Sequence, residues 1–160
     1  MAIKVGDKIP SVPLKKMGGD GPEPVDPTSY FGGRKVVLFS VPGAFTPTCS
    51  AKHLPGFIQH VDAIKAKGVD AVACLAVNDA FVMGAWGESQ GADGKVDMLA
   101  DGSAKFTEAL GLELDLVEAG LGVRGQRFAL IVEDGTVTHV AIEEPGAFEV
   151  SSAEAILEAL

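Results

Sequence analysis

Residues Val36-Val37-Leu38-Phe39-Ser40-Val41 form an almost unbroken apolar run, rich in β-formers and bounded by Arg34-Lys35 and Pro42. A strand with no polar alternation has to be covered on both faces, the situation of a central strand in a sheet flanked by helical layers. That requirement points to an α/β architecture. A chain of 160 residues, with 47% hydrophobic and 22% charged residues, suits a single domain spanning residues 1–160, large enough to bury such a sheet without disulfide or metal staples.

The elements that follow read in order. Phe57, Val61 and Ile64 recur at helical spacing up to Lys67-Gly68, a cation and glycine that make a usual helix stop. Val69 to Val77 is a second buried strand. Asn78-Asp79 then offer capping side chains to a helix carrying Phe81, Val82, Ala85 and Trp86. A weaker strand, Val96 to Leu99, and a helix over Ser103 to Leu110 look like an insertion into a simpler core. Arg127 to Glu133 and Thr136 to Glu143 flank Asp134-Gly135, the turn pair of a tight hairpin. Ser151 stands three residues before Glu154 as a capping box for a terminal helix over Ala155 to Leu160. The order βαβα, (βα), ββα is that of a thioredoxin-like fold.

The first strand leads directly into Pro42-Gly43-Ala44-Phe45-Thr46-Pro47-Thr48-Cys49. With Thr46 as N-cap and Pro47 as first helical residue, Cys49 falls in the first turn. Unpaired backbone N–H groups and the positive end of the helix dipole there favour thiolate, the attacking form of sulfur, and lower its expected pKa. A dithiol motif needs a second cysteine three residues earlier, where Thr46 stands instead. A single thiolate beside a hydroxyl able to donate suits attack on a peroxide O–O bond better than disulfide exchange.

Pro42, Thr46 and Cys49 reproduce the signature Pro-x-x-x-Thr-x-x-Cys, and through it the chain resembles the peroxiredoxins. The stretch Val41 to Phe57, with Ser50, His53, Leu54 and Pro55-Gly56-Phe57, is similar to the peroxiredoxin-5 subfamily, called type II in plants. So are Cys74 to Phe81 and Arg127 to Leu130. The resemblance runs nearly end to end. It implies a thioredoxin-like fold with peroxiredoxin-type insertions and a thiol-dependent peroxidase acting on hydrogen peroxide and alkyl hydroperoxides. By it Cys49 is the peroxidatic cysteine, Thr46 hydrogen-bonds the peroxide, Pro42 shields the pocket and Arg127 holds and activates the thiolate. Arg124 is the alternative to Arg127. A homodimer is implied as well.

Animal members of this subfamily carry a resolving cysteine near the C-terminus, and Phe148-Glu149-Val150-Ser151-Ser152 has none. The only other thiol, Cys74, lies inside an apolar strand and reads as structural. Cys49 sulfenic acid is therefore expected to be reduced by an outside thiol, glutathione with glutaredoxin first and thioredoxin second. The rival from another class is a peroxide sensor or redox-switched chaperone that uses Cys49 oxidation as a signal.

Other signals carry less. Gly120-Leu121-Gly122-Val123-Arg124-Gly125 matches the dinucleotide fingerprint literally, but a strand follows where a helix is needed, so these glycines read as a loop at the pocket rim. His53, four residues after Cys49, is better suited to packing or a dimer contact than to acting as a base. Trp86, Phe81 and Met83 read as core or interface, and Glu143-Glu144 as surface charge. His53, His60 and His139 with the two cysteines give no paired metal-ligand spacing, so neither metal nor cofactor is expected. A formal net charge of -9 argues against nucleic acid. The first residues hold no apolar signal core and no run reaches the ~18 residues of a membrane helix, so a soluble cytoplasmic protein is expected.

Overall fold

The computed structural model describes residues 1–160. Strand β3 (Lys35–Ser40) lies inside a seven-stranded sheet of order β2-β1-β5-β4-β3-β8-β9. It pairs in parallel with β4 (Ala71–Ala76) and antiparallel with β8 (Phe128–Glu133). Its alternate side chains feed two cores. Val37 and Phe39 join Val41 and residues of α2 (Leu54–Ala66), α3 (Ala80–Gln90) and α5 (Ala153–Ala159) on one face. Val36 and Leu38 pack on the other face with Phe31 of α1 (Pro27–Phe31) and Phe106 and Leu110 of α4 (Lys105–Leu110). The two-sided burial expected of the apolar run is what the sheet provides.

The hairpin of β8 and β9 (Thr136–Ile142) turns through Asp134 and Gly135, with φ of 50° and 76°. Both residues are left-handed, as a type I′ turn requires. Asp79 caps α3 as expected, its carboxylate accepting from the Val82 amide at 2.8 Å. On that helix the buried stripe is Ala80, Met83 and Trp86, and Phe81 points outward.

Three expectations change, and one element is new. The strand expected at Val96 to Leu99 is β5 (Asp97–Ala100), parallel to β4 from Ala73↔Asp97 to Ala76↔Ala100, so it belongs to the central sheet and is no insertion. A hairpin of β1 (Leu14–Gly18) and β2 (Gly21–Val25), a segment on which the sequence pattern is silent, extends that edge of the sheet. The cap of α5 is Ser152, whose hydroxyl accepts from the Ala155 amide at 3.1 Å, because the Ser151 hydroxyl is already committed to Glu143. Finally, the glycine segment is no loose loop: β7 (Gly122–Gly125) pairs antiparallel with β6 (Glu113–Leu116) in a small second sheet. No helix is long and apolar enough to cross a membrane.

Candidate active site

The segment after β3 is held from several sides before it reaches Cys49. The Ala44 amide donates to Asn78 Oδ1 at 3.0 Å, so Asn78 braces this loop and does not cap α3. Arg124 donates to the Pro42 carbonyl at 3.4 Å and to the Leu121 carbonyl at 2.9 Å. A Cβ on Gly43 would lie 2.9 Å from the Arg124 guanidinium and 3.1 Å from Thr46 Cγ2, so a side chain there would have to push the end of Arg124 aside. Phe45 sits at φ 65°, a conformation sparsely populated by aromatic residues.

The Thr46 carbonyl accepts from the Ser50 amide at 2.9 Å, which makes Thr46 the N-cap and puts Cys49 in the first turn. The chain then widens into a π-helical turn, Cys49–His53, closed by the Leu54 amide on the Cys49 carbonyl. Pro55 has no N–H with which to continue α-type bonding at that point, and such wide turns are frequent at functional sites. Trp86 Nε1 donates to the Ser50 hydroxyl at 2.9 Å and ties this turn to α3.

Arg127 stands just before β8, the strand paired with β3. Its Nη2 donates to Cys49 Sγ at 3.1 Å and its Nη1 donates to His53 Nδ1 at 2.8 Å. The guanidinium is a fixed positive charge with one donor aimed at the sulfur and the other anchored on His53. Arg124, on the loop carbonyls, is not at the sulfur. Cys49 is buried, and a cavity of about 270 Å³ opens beside Arg127, lined also by Pro42, Thr48, Leu114, Glu143 and the 144–147 turn. A larger hollow of about 420 Å³ lies between β1 and α3, around Met17, Gly84, Glu88 and Met98, and contains no group of this site.

Of the two roles expected of His53, packing holds: its ring lies against Phe39, Phe57 and Phe148. It is fully buried, so it makes no dimer contact, and it is no base either. Arginine can only donate, so Nδ1 is the acceptor, and Nε2 carries the proton that it donates to the Ser151 carbonyl at 2.9 Å. Burial, then the Arg127 charge, push His53 down to about 3 from its ordinary 6.5, and it is neutral at physiological pH. The unfolded chain binds the extra proton between these values, so the contribution of His53 to stability is full above 6.5 and is lost as pH falls toward 3. The stability advantage of the native protein over a His53→Gln variant is therefore expected to shrink on acidification through that window. Denaturant titrations showing a constant advantage would contradict this.

Thr46 donates to the Gly43 carbonyl at 2.6 Å. Its proton is used there, so the oxygen has only lone pairs left to offer, where the sequence suggests a donor, and Thr46 is not itself among the residues lining the cavity. Thr46→Ser is expected to keep the rate of Cys49 oxidation, and Thr46→Val to slow it roughly five- to tenfold, the rate equivalent of one neutral hydrogen bond of ~1 kcal/mol. Equal rates in stopped-flow would remove Thr46 from the chemistry.

Cys74, in register with Phe39 on β4, is fully buried. Burial, and after it the proximity of Cys49, push its thiol well up, which keeps it protonated and unreactive. Cys74→Ser is expected to leave turnover with an external thiol nearly intact while costing ~1–3 kcal/mol for a hydroxyl placed in an apolar strand. Loss of turnover with the fold retained would show that Cys74 takes part.

Glu143, which the sequence presents as surface charge, is only 7% exposed and accepts from the amides of Glu149 and Ser151 and from the Ser151 hydroxyl. One signal of this lies in the chain: Glu143 falls two residues after the buried Ala141 of β9 and so shares its inward parity, just past the end of the strand.

Residues 4–157 match the family model Redoxin. Peroxiredoxin-2B of Arabidopsis thaliana is 50% identical over 99% of this chain and 98% of its own length. The crystal structure of reduced Prx3 of Vibrio vulnificus in complex with hydrogen peroxide is 52% identical and superposes with a TM-score of 0.95 over 98% of both chains. A Burkholderia cenocepacia structure whose name refers to thioredoxin reductase superposes with a TM-score of 0.98 at 46% identity, covering 100% of this chain and 99% of its own. The site here holds one thiol, with Thr46 where a dithiol would put its second, and so has the makings of peroxide chemistry and not of dithiol exchange. Fold and site together define a thioredoxin-like redoxin. The chain belongs to the peroxiredoxin family, in its type II branch, and is a thiol-dependent peroxidase.

Proposed function

We propose that Cys49 is the peroxidatic residue, that its sulfenic acid is recycled by an external thiol, and that Thr46, Pro42 and Arg127 serve the first step. The observation that carries this is the Arg127 Nη2 donor 3.1 Å from Cys49 Sγ, in a site whose only other thiol is locked inside β4. The thiolate attacks one peroxide oxygen, the S–O bond forms as the O–O bond breaks, and the other oxygen leaves as water or an alcohol after taking a proton. Thr46 accepts a hydrogen bond from the peroxide, Pro42 walls the cavity, and Arg127 donates to the developing oxygen charge. An external thiol then attacks the sulfenic sulfur, water departs, and a second thiol resolves the mixed disulfide and returns Cys49.

Glutathione with glutaredoxin is the first reductant to try and thioredoxin the second. The protein acts in a reducing compartment, the cytoplasm being the simplest, since both cysteines are free. It works as a homodimer: Phe45 and Phe81 are 57% and 64% exposed on segments joined by the Ala44–Asn78 bond, an apolar surface that a second copy would cover. A reductant panel tests the cycle. Sustained peroxide consumption with a thiol system supports it, and consumption that stops at one equivalent with every reductant would make Cys49 oxidation a sensor or chaperone switch.

A further inference from the structure

The hydrogen bonds around Arg127 continue past His53. The Ser151 carbonyl that accepts from His53 belongs to a residue held at both its amide and its hydroxyl by a single carboxylate oxygen, Oε2 of Glu143, at 2.9 Å and 2.7 Å. The same oxygen accepts from the Glu149 amide at 2.7 Å. Burial alone would raise the Glu143 carboxyl, but these donors outweigh it and hold the group below the usual carboxylate range. Glu143 is thus an anion at neutral pH, placed at the wall of the cavity that Arg127 also lines.

We infer that Glu143 is a positioning residue for the oxidation of Cys49, acting through Ser151 and His53 on the Arg127 guanidinium. The inference rests on the reading that Arg127 acts on Cys49. The steps are geometric. Glu143 fixes Ser151, so that its carbonyl takes the Nε2 proton of His53. That bond sets the tautomer, leaving Nδ1 as an acceptor for one arm of Arg127. The guanidinium is planar and rigid, so anchoring Nη1 at His53 fixes where Nη2 points, which is at Cys49 Sγ.

The three donors on Oε2 have a second effect. Glu143 and Arg127 face one cavity, and a carboxylate free to swing would compete with the thiolate for the guanidinium. The three loop donors on Oε2 hold Glu143 on the 149–151 loop, and the Arg127 guanidinium bonds to His53 and the sulfur. A simpler view, in which Glu143 only staples that loop, predicts a loss of stability and no particular dependence on Arg127.

A double-mutant cycle separates the two. The rate constant for oxidation of reduced Cys49 by hydrogen peroxide is measured for the full chain, for Glu143→Gln, for Arg127→Gln and for the double variant, each checked by thermal melting. Glu143→Gln is expected to slow oxidation roughly tenfold, inside the ~10²-fold that a 1 Å misplacement can cause, and to have no further effect once Arg127 is gone. If the single Glu143 variant melts before the assay temperature, Ser151→Ala, which removes one of the three donors, is carried through the same cycle with a smaller loss expected. Glu143→Gln slowing both backgrounds equally, or neither, overturns the proposal. An Arg127→Gln variant that oxidises at the native rate overturns the underlying reading of Arg127 instead, and the two failures are told apart by that arm.

Discussion

Replacing Cys49 by serine abolishes peroxide reduction while the fold persists. The swap keeps the side chain's shape and removes the one group able to attack the O–O bond, since a serine hydroxyl is a far weaker nucleophile toward peroxide than a cysteine sulfur. Cys49 is fully buried and hydrogen-bonded from Arg127, so a serine oxygen accepts a similar bond and the packing of the first turn survives. No second thiol takes over, because Cys74 sits in the interior of β4 with its proton held by burial. Steady-state assays with any thiol system are expected to show background peroxide loss only, alongside a native melting profile. Residual turnover in that variant would place the chemistry elsewhere.

Replacing Arg127 by glutamine is expected to slow oxidation of Cys49 by about 10²–10³-fold, the usual consequence of removing one preorganised donor from developing negative charge. Arginine does two things from one planar group: Nη2 reaches Cys49 Sγ and Nη1 reaches His53 Nδ1. Lysine keeps the charge and loses this fork, so Arg127→Lys is expected to recover only part of the rate. Single-turnover kinetics at saturating peroxide isolate the step. A lysine variant at the native rate would mean that charge alone suffices, and that the geometry described around His53 is incidental.

The parts of this site written in local sequence are legible from the residues alone. Val36 to Val41 declares a central strand, and Thr46, Pro47 and Cys49 declare a capped helix start with a thiol in its first turn, because each pattern is completed within a few residues. The same holds for the Asp134-Gly135 turn. The N-terminal hairpin is silent for the opposite reason: Lys15-Lys16 on one strand and Pro22 and Pro24 on the other spoil both alternation and β-propensity, and the pairing is favoured by the sheet edge that β5 presents. His53 and Ser151 are 98 residues apart, Ala44 and Asn78 are 34 apart, and nothing at either end of such a bond announces the other. Glu143 looks like surface charge because carboxylates usually are; only the return of the 144–152 loop over β9 supplies the donors that make its burial tolerable.

The central claim is that one sulfur carries all the redox chemistry of this chain. It is tested most directly by treating the reduced protein with one equivalent of hydrogen peroxide in the presence of a sulfenic-acid trap such as dimedone, and mapping every cysteine by mass spectrometry. The trap is expected on Cys49, with Cys74 as an unmodified thiol and no peptide pair linked through the two. A Cys49–Cys74 disulfide, or the trap on Cys74, would contradict it.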